Sequence, residues 1–138
     1  MFAFLAALLH TLFHFEFAGL DLLFLLEGQD GFDLGFYRGV LFPNTEFGHV
    51  QYRGKSVEKF CAASIRKKKD LSWQEWAERL SIYLKMMEGL VWPDLIIIGG
   101  GVSAKNEKWL KYVKCRTKVV PAKLFNGAGI IGAALAGE

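Results

Sequence analysis

The stretch that most constrains this chain is Pro93-Asp94-Leu95-Ile96-Ile97-Ile98-Gly99-Gly100-Gly101. A short apolar run rich in β-branched residues, bounded by proline and glycine, reads as a strand buried on both faces. Gly99, Gly100 and Gly101 then put no Cβ between the backbone and an approaching ligand. Ser103 follows as the N-cap of a helix predicted over 103–113, with Trp109, Leu110 and Val113 inward. Strand, glycine turn and helix N-terminus together form a geometry that offers backbone N–H groups to a phosphate. A tight βα turn without any ligand fits the same three glycines.

The rest of the chain supports an α/β lobe. Its 138 residues allow one domain or a piece of one, and 52% hydrophobic content is ample for a core. A formal net charge of +3 gives no argument for a nucleic-acid partner. Cys61 and Cys115 are too far apart for a zinc ribbon or a disulfide framework and suit a reducing compartment. Ser72-Trp73-Gln74-Glu75 is a capping box, and Trp73, Trp76, Ala77, Leu80, Tyr83, Leu84, Met87, Leu90 and Val91 recur at helical spacing behind it. Pro93 ends that helix, and Trp92 before it is expected in the core, with a place beside a nucleotide as the alternative. An earlier helix is expected from Ser56 to Lys67, with Val57, Phe60, Cys61, Ser64 and Ile65 inward. Arg66-Lys67-Lys68-Lys69 closes it, as a solvated end or as a docking strip for a polyanion. Thr117 to Val120 reads as a strand, and Ile130 to Ala136 as a small-residue helix.

The N-terminal part is harder to place. Residues 1–26 are apolar throughout, with His10, His14, Glu16 and Asp21 interrupting the run. No Lys or Arg precedes Arg38, which argues against a secretory signal, and the two acids count against a membrane span. His10 and His14 share a helical face, but no third ligand accompanies them, so no metal is expected there. Residues 28–35 read as a loop, and Phe36 to Phe42 as a strand with a turn at Arg38-Gly39.

Pro43-Asn44-Thr45-Glu46-Phe47-Gly48-His49 is the second chemical constellation. Glu46 offers acceptor oxygens, and His49 offers a donor and an acceptor. Sugar hydroxyls need such mixed groups, because each both donates and accepts. A surface loop with a capping Glu is the plainer account of these residues.

Taken in order, this motif, Gly54-Lys55, Trp92-Pro93-Asp94-Leu95, Gly99-Gly100-Gly101-Val102-Ser103, Val119-Val120-Pro121-Ala122 and Gly129-Ile130-Ile131-Gly132-Ala133-Ala134 resemble the C-terminal half of the ROK sugar kinases. The Pro-Asn-Thr-Glu-x-Gly-His form is most similar to the polyphosphate glucokinases within them. The resemblance covers about residues 36–138 and leaves 1–35 as an apolar segment outside it. It implies an incomplete C-terminal lobe of an actin-like, ribonuclease-H-like fold. The implied activity is phosphoryl transfer from polyphosphate or ATP, with Mg2+, to the 6-hydroxyl of glucose. By the same resemblance Glu46, His49 and Glu58 contact glucose, and Gly99, Gly100 and Gly101 lie on the nucleotide or phosphate side. It also implies a homodimer in the cytoplasm. The cysteine-rich zinc motif of many ROK proteins is absent, so no zinc is expected.

Three family motifs have no counterpart here: the Asp-x-Gly-Gly loop, the Asn-Asp motif that carries the catalytic base, and the Gly-Thr-Gly-x-Gly turn. Phosphoryl transfer needs a positioned base and charge stabilisation of the phosphates. The chain is therefore expected to carry no catalytic residue and to be inactive alone, as a piece of a longer kinase. The alternative is a non-catalytic remnant that binds sugar or dimerises, associated with a membrane through residues 1–26.

Overall fold

The computed structural model describes residues 22–27, 32–37, 40–42 and 45–122. His10 and His14, Pro43 and Asn44, and the small-residue helix expected at 130–136 lie outside them.

The core is built around β6 (Leu95–Gly99), in which every residue is buried. β6 lies parallel to β1 (Leu22–Glu27) on one side and to β7 (Lys118–Pro121) on the other. β2 (Phe32–Tyr37) runs antiparallel to β1, and β3 (Val40–Phe42) antiparallel to β2. The strand order is β3-β2-β1-β6-β7. A strand flanked by parallel partners is covered on both faces, which is why 95–98 is continuously apolar. Ile96 and Ile98 meet the helical layer, and Leu95 and Ile97 are buried with the opposite parity.

That layer is dominated by α3 (Trp73–Val91). Its first turn carries the complete capping box: the Ser72 hydroxyl accepts from the Glu75 N–H, and the Glu75 carboxylate accepts from the Ser72 N–H at 2.8 Å. Trp76, Ala77, Leu80, Leu84 and Met87 form its buried stripe and pack with Ile96, Ile98, Val102 and Trp109. The helix ends at Trp92, which adopts a left-handed φ of 50°. Trp92 is 65% exposed, not part of the core as expected, because this backbone turn directs its ring outward under the Arg116 guanidinium at 4.0 Å.

The single helix expected from Ser56 is two short ones: α1 (Glu58–Cys61) and α2 (Ala63–Lys68). Ala62 between them is extended, with ψ 149°. Trp76 explains the break. Its indole N–H donates to the Cys61 carbonyl at 2.8 Å, the acceptor that a continuous helix would have given to Ile65. The Ile65 N–H turns to Ala62 O instead. The phase shift buries Ala63 and leaves Ser64 exposed.

Two further expectations are corrected. Phe32 to Gly35, read as loop, belongs to β2, and the stretch expected as one strand from Phe36 to Phe42 is shared between β2 and β3; the turn expected at Arg38-Gly39 lies outside the described residues. Leu22 to Glu27, at the end of the apolar N-terminal run, is the strand that joins β2 to β6, so the sheet spans the boundary placed at residue 35. Unalternating apolar runs carry no period to tell strand from helix, and partner strands decide.

A buried carboxylate ties the layers together at the strand entrances. Glu88 on α3 is 9% exposed and accepts the Thr117 backbone N–H. The Thr117 hydroxyl and Arg116 Nη2 both donate to Pro93 O at 3.1 Å. Burial alone would raise the Glu88 pKa, but the Thr117 backbone N–H and the Arg116 charge outweigh it and hold the carboxyl below its ordinary 4.5. A group depressed on folding contributes stability above its unfolded pKa and loses it as pH falls through the folded one.

Two outcomes are expected. The stability gap between the parent and Glu88→Gln, followed by thermal unfolding across pH, is full at neutral pH and closes on acidification below 4.5. Trp76→Phe deprives the Cys61 carbonyl of its indole donor and costs about 1–3 kcal/mol in urea denaturation.

Candidate functional site

The expected sugar residues lie side by side. Glu46 precedes a single 3₁₀ turn, Phe47–His49, closed by the His49 N–H donating to Glu46 O at 3.0 Å. That turn bends the Glu46 side chain back onto the ring, and His49 Nδ1 lies 3.0 Å from Glu46 Oε2. Across the ring, His49 Nε2 lies 3.9 Å from Glu58 Oε1, an ion-pair distance longer than a hydrogen bond.

The local chain dictates the second approach. β4 (Gln51–Tyr52) and β5 (Lys55–Ser56) form a tight hairpin, paired Gln51↔Ser56 and Tyr52↔Lys55. The Val57 N–H extends the ladder to Val50 O at 2.8 Å. The next facing pair is His49 and Glu58. Glu58 opens α1, whose dipole favours a carboxylate in its first turn. The hairpin is held to α1 by Tyr52 and Phe60, with ring centroids 4.8 Å apart, and Arg79 from α3 covers the Phe60 ring at 4.7 Å.

The result is a carboxylate–imidazole–carboxylate row. Its side chains are 68% exposed at Glu46, 63% at His49 and 31% at Glu58, so the row is open to solvent on one side. The carboxylates address opposite edges of the imidazole, so the three groups diverge and do not converge on one point. Among the described residues, no set of three or more His, Cys, Asp or Glu is placed to hold a metal ion. The chemistry this row offers is hydrogen bonding: carboxylate acceptors on both sides of a group that donates and accepts.

The glycine turn forms at the carboxyl end of β6, where ligands of parallel α/β sheets bind. Gly99 is the buried last residue of the strand, and Gly100 adopts φ 70°. Only the second glycine is thus required by backbone conformation. Ser103 caps nothing. It sits inside a 3₁₀ turn, Ser103–Lys105, and its buried hydroxyl donates back to Gly100 O at 2.6 Å. The helix expected over 103–113 is accordingly split into that turn, α4 (Asn106–Trp109) and a second 3₁₀ turn, Leu110–Tyr112. Trp109 is fully buried as expected, and its indole N–H donates to Val102 O at 2.8 Å, which locks the segment after the glycines.

In the basic run, Arg66 is internal to the fold: it donates to Leu71 O at 2.9 Å and lies 4.0 Å over the Trp73 ring. Lys67, Lys68 and Lys69 are exposed. No helix among the described residues is long and apolar enough to cross a membrane.

The comparisons with solved structures show that this sheet and helical layer share the actin-like fold of ROK-type sugar kinases. Over 100 residues of its C-terminal segment the chain is 47% identical to the polyphosphate glucokinase of Mycobacterium tuberculosis (strain CDC 1551 / Oshkosh) and 43% identical to that of Mycobacterium leprae. These matches take in 72% of this chain, but only 38% and 31% of those proteins. Among solved structures, an inorganic polyphosphate/ATP-glucomannokinase from Arthrobacter matches with a TM-score of 0.75 and 37% identity, over 86% of this chain and 46% of that one. A ROK-family glucokinase from Streptomyces griseus shares the fold at 16% identity and a TM-score of 0.65. No protein-family model matches the chain. Over its C-terminal segment the chain is homologous to the polyphosphate glucokinases, and it shares the fold of ROK-family sugar kinases while spanning less than half the length of those homologues.

Gly100→Ala forces a Cβ into the left-handed region and is expected to cost about 1–2 kcal/mol, read as a lower midpoint in thermal denaturation. Gly101→Ala carries no such backbone penalty and serves as the control.

Proposed function

We propose that this chain is the sugar-binding part of a glucokinase-like protein that serves phosphoryl transfer from polyphosphate or ATP to the 6-hydroxyl of glucose. The observation that carries the reading is His49 held between Glu46 and Glu58 on the open side of the hairpin. Three polar groups set side by side and open to solvent on one side suit a polyhydroxyl ligand. The names of the homologous proteins give the direction, since each is a glucokinase or glucomannokinase that uses polyphosphate.

In this reading Glu46, His49 and Glu58 bind glucose, and the turn from Gly99 to Gly101 takes the phosphate side. Exposed Lys67, Lys68 and Lys69 offer a docking strip to a polyphosphate donor. Mg2+ arrives with the donor and is held mainly by its phosphate oxygens. No zinc takes part. The working protein is a homodimer in the cytoplasm.

Within these 138 residues no Asn-Asp motif supplies a base. The chain by itself is therefore proposed to bind glucose without phosphorylating it. This also favours the second reading, a non-catalytic sugar-binding or dimerising protein.

The test is calorimetry and thermal shift with glucose, alongside a coupled assay for glucose 6-phosphate with polyphosphate and with ATP. Glucose binding is expected, and His49→Ala or Glu46→Ala weakens it roughly tenfold or more. No turnover is expected from the chain alone. Absence of any glucose effect would sink the sugar reading. Turnover that Glu46→Ala abolishes would instead make the chain a complete enzyme.

A further inference from the structure

The site residues His49 and Glu58 are nine positions apart and meet only because the chain between them folds back on itself. The fold-back is a two-residue loop, Arg53-Gly54, with φ 51° and 75°. Two consecutive left-handed residues are the signature of a type I′ turn, the loop whose twist matches that of a tight hairpin. The loop fixes Tyr52↔Lys55 as the first pair, and register then propagates outward through Gln51↔Ser56 and Val50–Val57 to His49 and Glu58. A slip of one residue would set His49 against Val57 or Lys59, replacing a carboxylate with an apolar or a cationic side chain. A Cβ built on Gly54 meets nothing within 4 Å, so the position is constrained by backbone conformation and not by space.

We infer that the Arg53-Gly54 turn is a positioning element for the Glu46–His49–Glu58 row: its left-handed backbone sets the register that brings His49 opposite Glu58. Neither turn residue needs to touch the ligand. The inference builds on the reading of these three residues as sugar ligands, but the register itself is independent of any sugar.

The experiment compares Gly54→Val with Gly54→Asn in the full chain. Valine resists the left-handed region, whereas asparagine tolerates it. The first readout is the NMR signal of the His49 imidazole and its response to Glu58→Gln. In the parent and in Gly54→Asn, that substitution is expected to shift the imidazole resonances. In Gly54→Val the response is lost. The second readout is glucose affinity, expected to fall roughly tenfold or more in Gly54→Val and to recover in Gly54→Asn. If Gly54→Val does not fold by circular dichroism, Gly54→Ala, strained in the same sense but more mildly, takes its place. An undiminished imidazole response in the strained variant overturns the inference. A lost response in a chain that never binds glucose supports the positioning role and removes the sugar reading alone.

Discussion

The hydrogen bond from the Trp76 indole to the Cys61 carbonyl is the joint on which the layout depends. It is made between two buried residues, with Trp76 also edge-on to Trp109 at 5.5 Å. By taking a carbonyl that a helix would have used, it ends α1 after a single turn. α1 is therefore short, anchored at its C-terminal end, and free at its N-terminal end to present Glu58. The Trp109 indole in turn holds the segment after the glycines. One aromatic pair thus links the carboxylate side of the site to the backbone turn at the end of β6.

At the opposite end of the parallel strands, Glu88 works by a different logic. An ionised carboxylate in a buried position is costly unless hydrogen bonds and a nearby cation compensate. Thr117 and Arg116 compensate it here, and in doing so they fasten the entry of β7 to Pro93 at the entry of β6. The site row lies on exposed side chains, where individual ion pairs contribute little to stability. The carboxylate that fastens the strands and the carboxylates of the candidate row thus stand in opposite kinds of environment.

How much of this was legible follows from which forces are local. α3 could be read directly, because its cap and its periodic stripe are both written within the helix. The strand at β6 was equally plain from its apolar run between proline and glycine. The approach of Glu46 to His49 was anticipated from the glycine between them, whereas Glu58 was named from resemblance alone, as a sugar contact and not as a neighbour of His49. The hairpin that unites His49 with Glu58 carried a signal that went unused: Arg53-Gly54 sits between Gln51-Tyr52 and Lys55-Ser56, with a glycine at a left-handed position. Other features lay beyond local reading. Ala62 is a good helix former, and only a tryptophan fourteen residues later makes it a break. Ser103 has the chemistry of a cap, but it is buried behind Gly100 and spends its hydroxyl there. Glu88 looks like one more charged position on an amphipathic helix until β7 is seen to lie against it.

The separation between local and distant pairing also has a consequence in time. The hairpin under His49 and Glu58 closes through two residues, and elements of that kind form in about 1–10 μs. β1 and β6 become neighbours only after the whole intervening chain, α3 included, has been gathered. Closing so long a loop before its contacts form is what slows a parallel sheet. The hairpin of the candidate row thus rests on local pairing, whereas the sheet depends on contacts between distant parts of the chain.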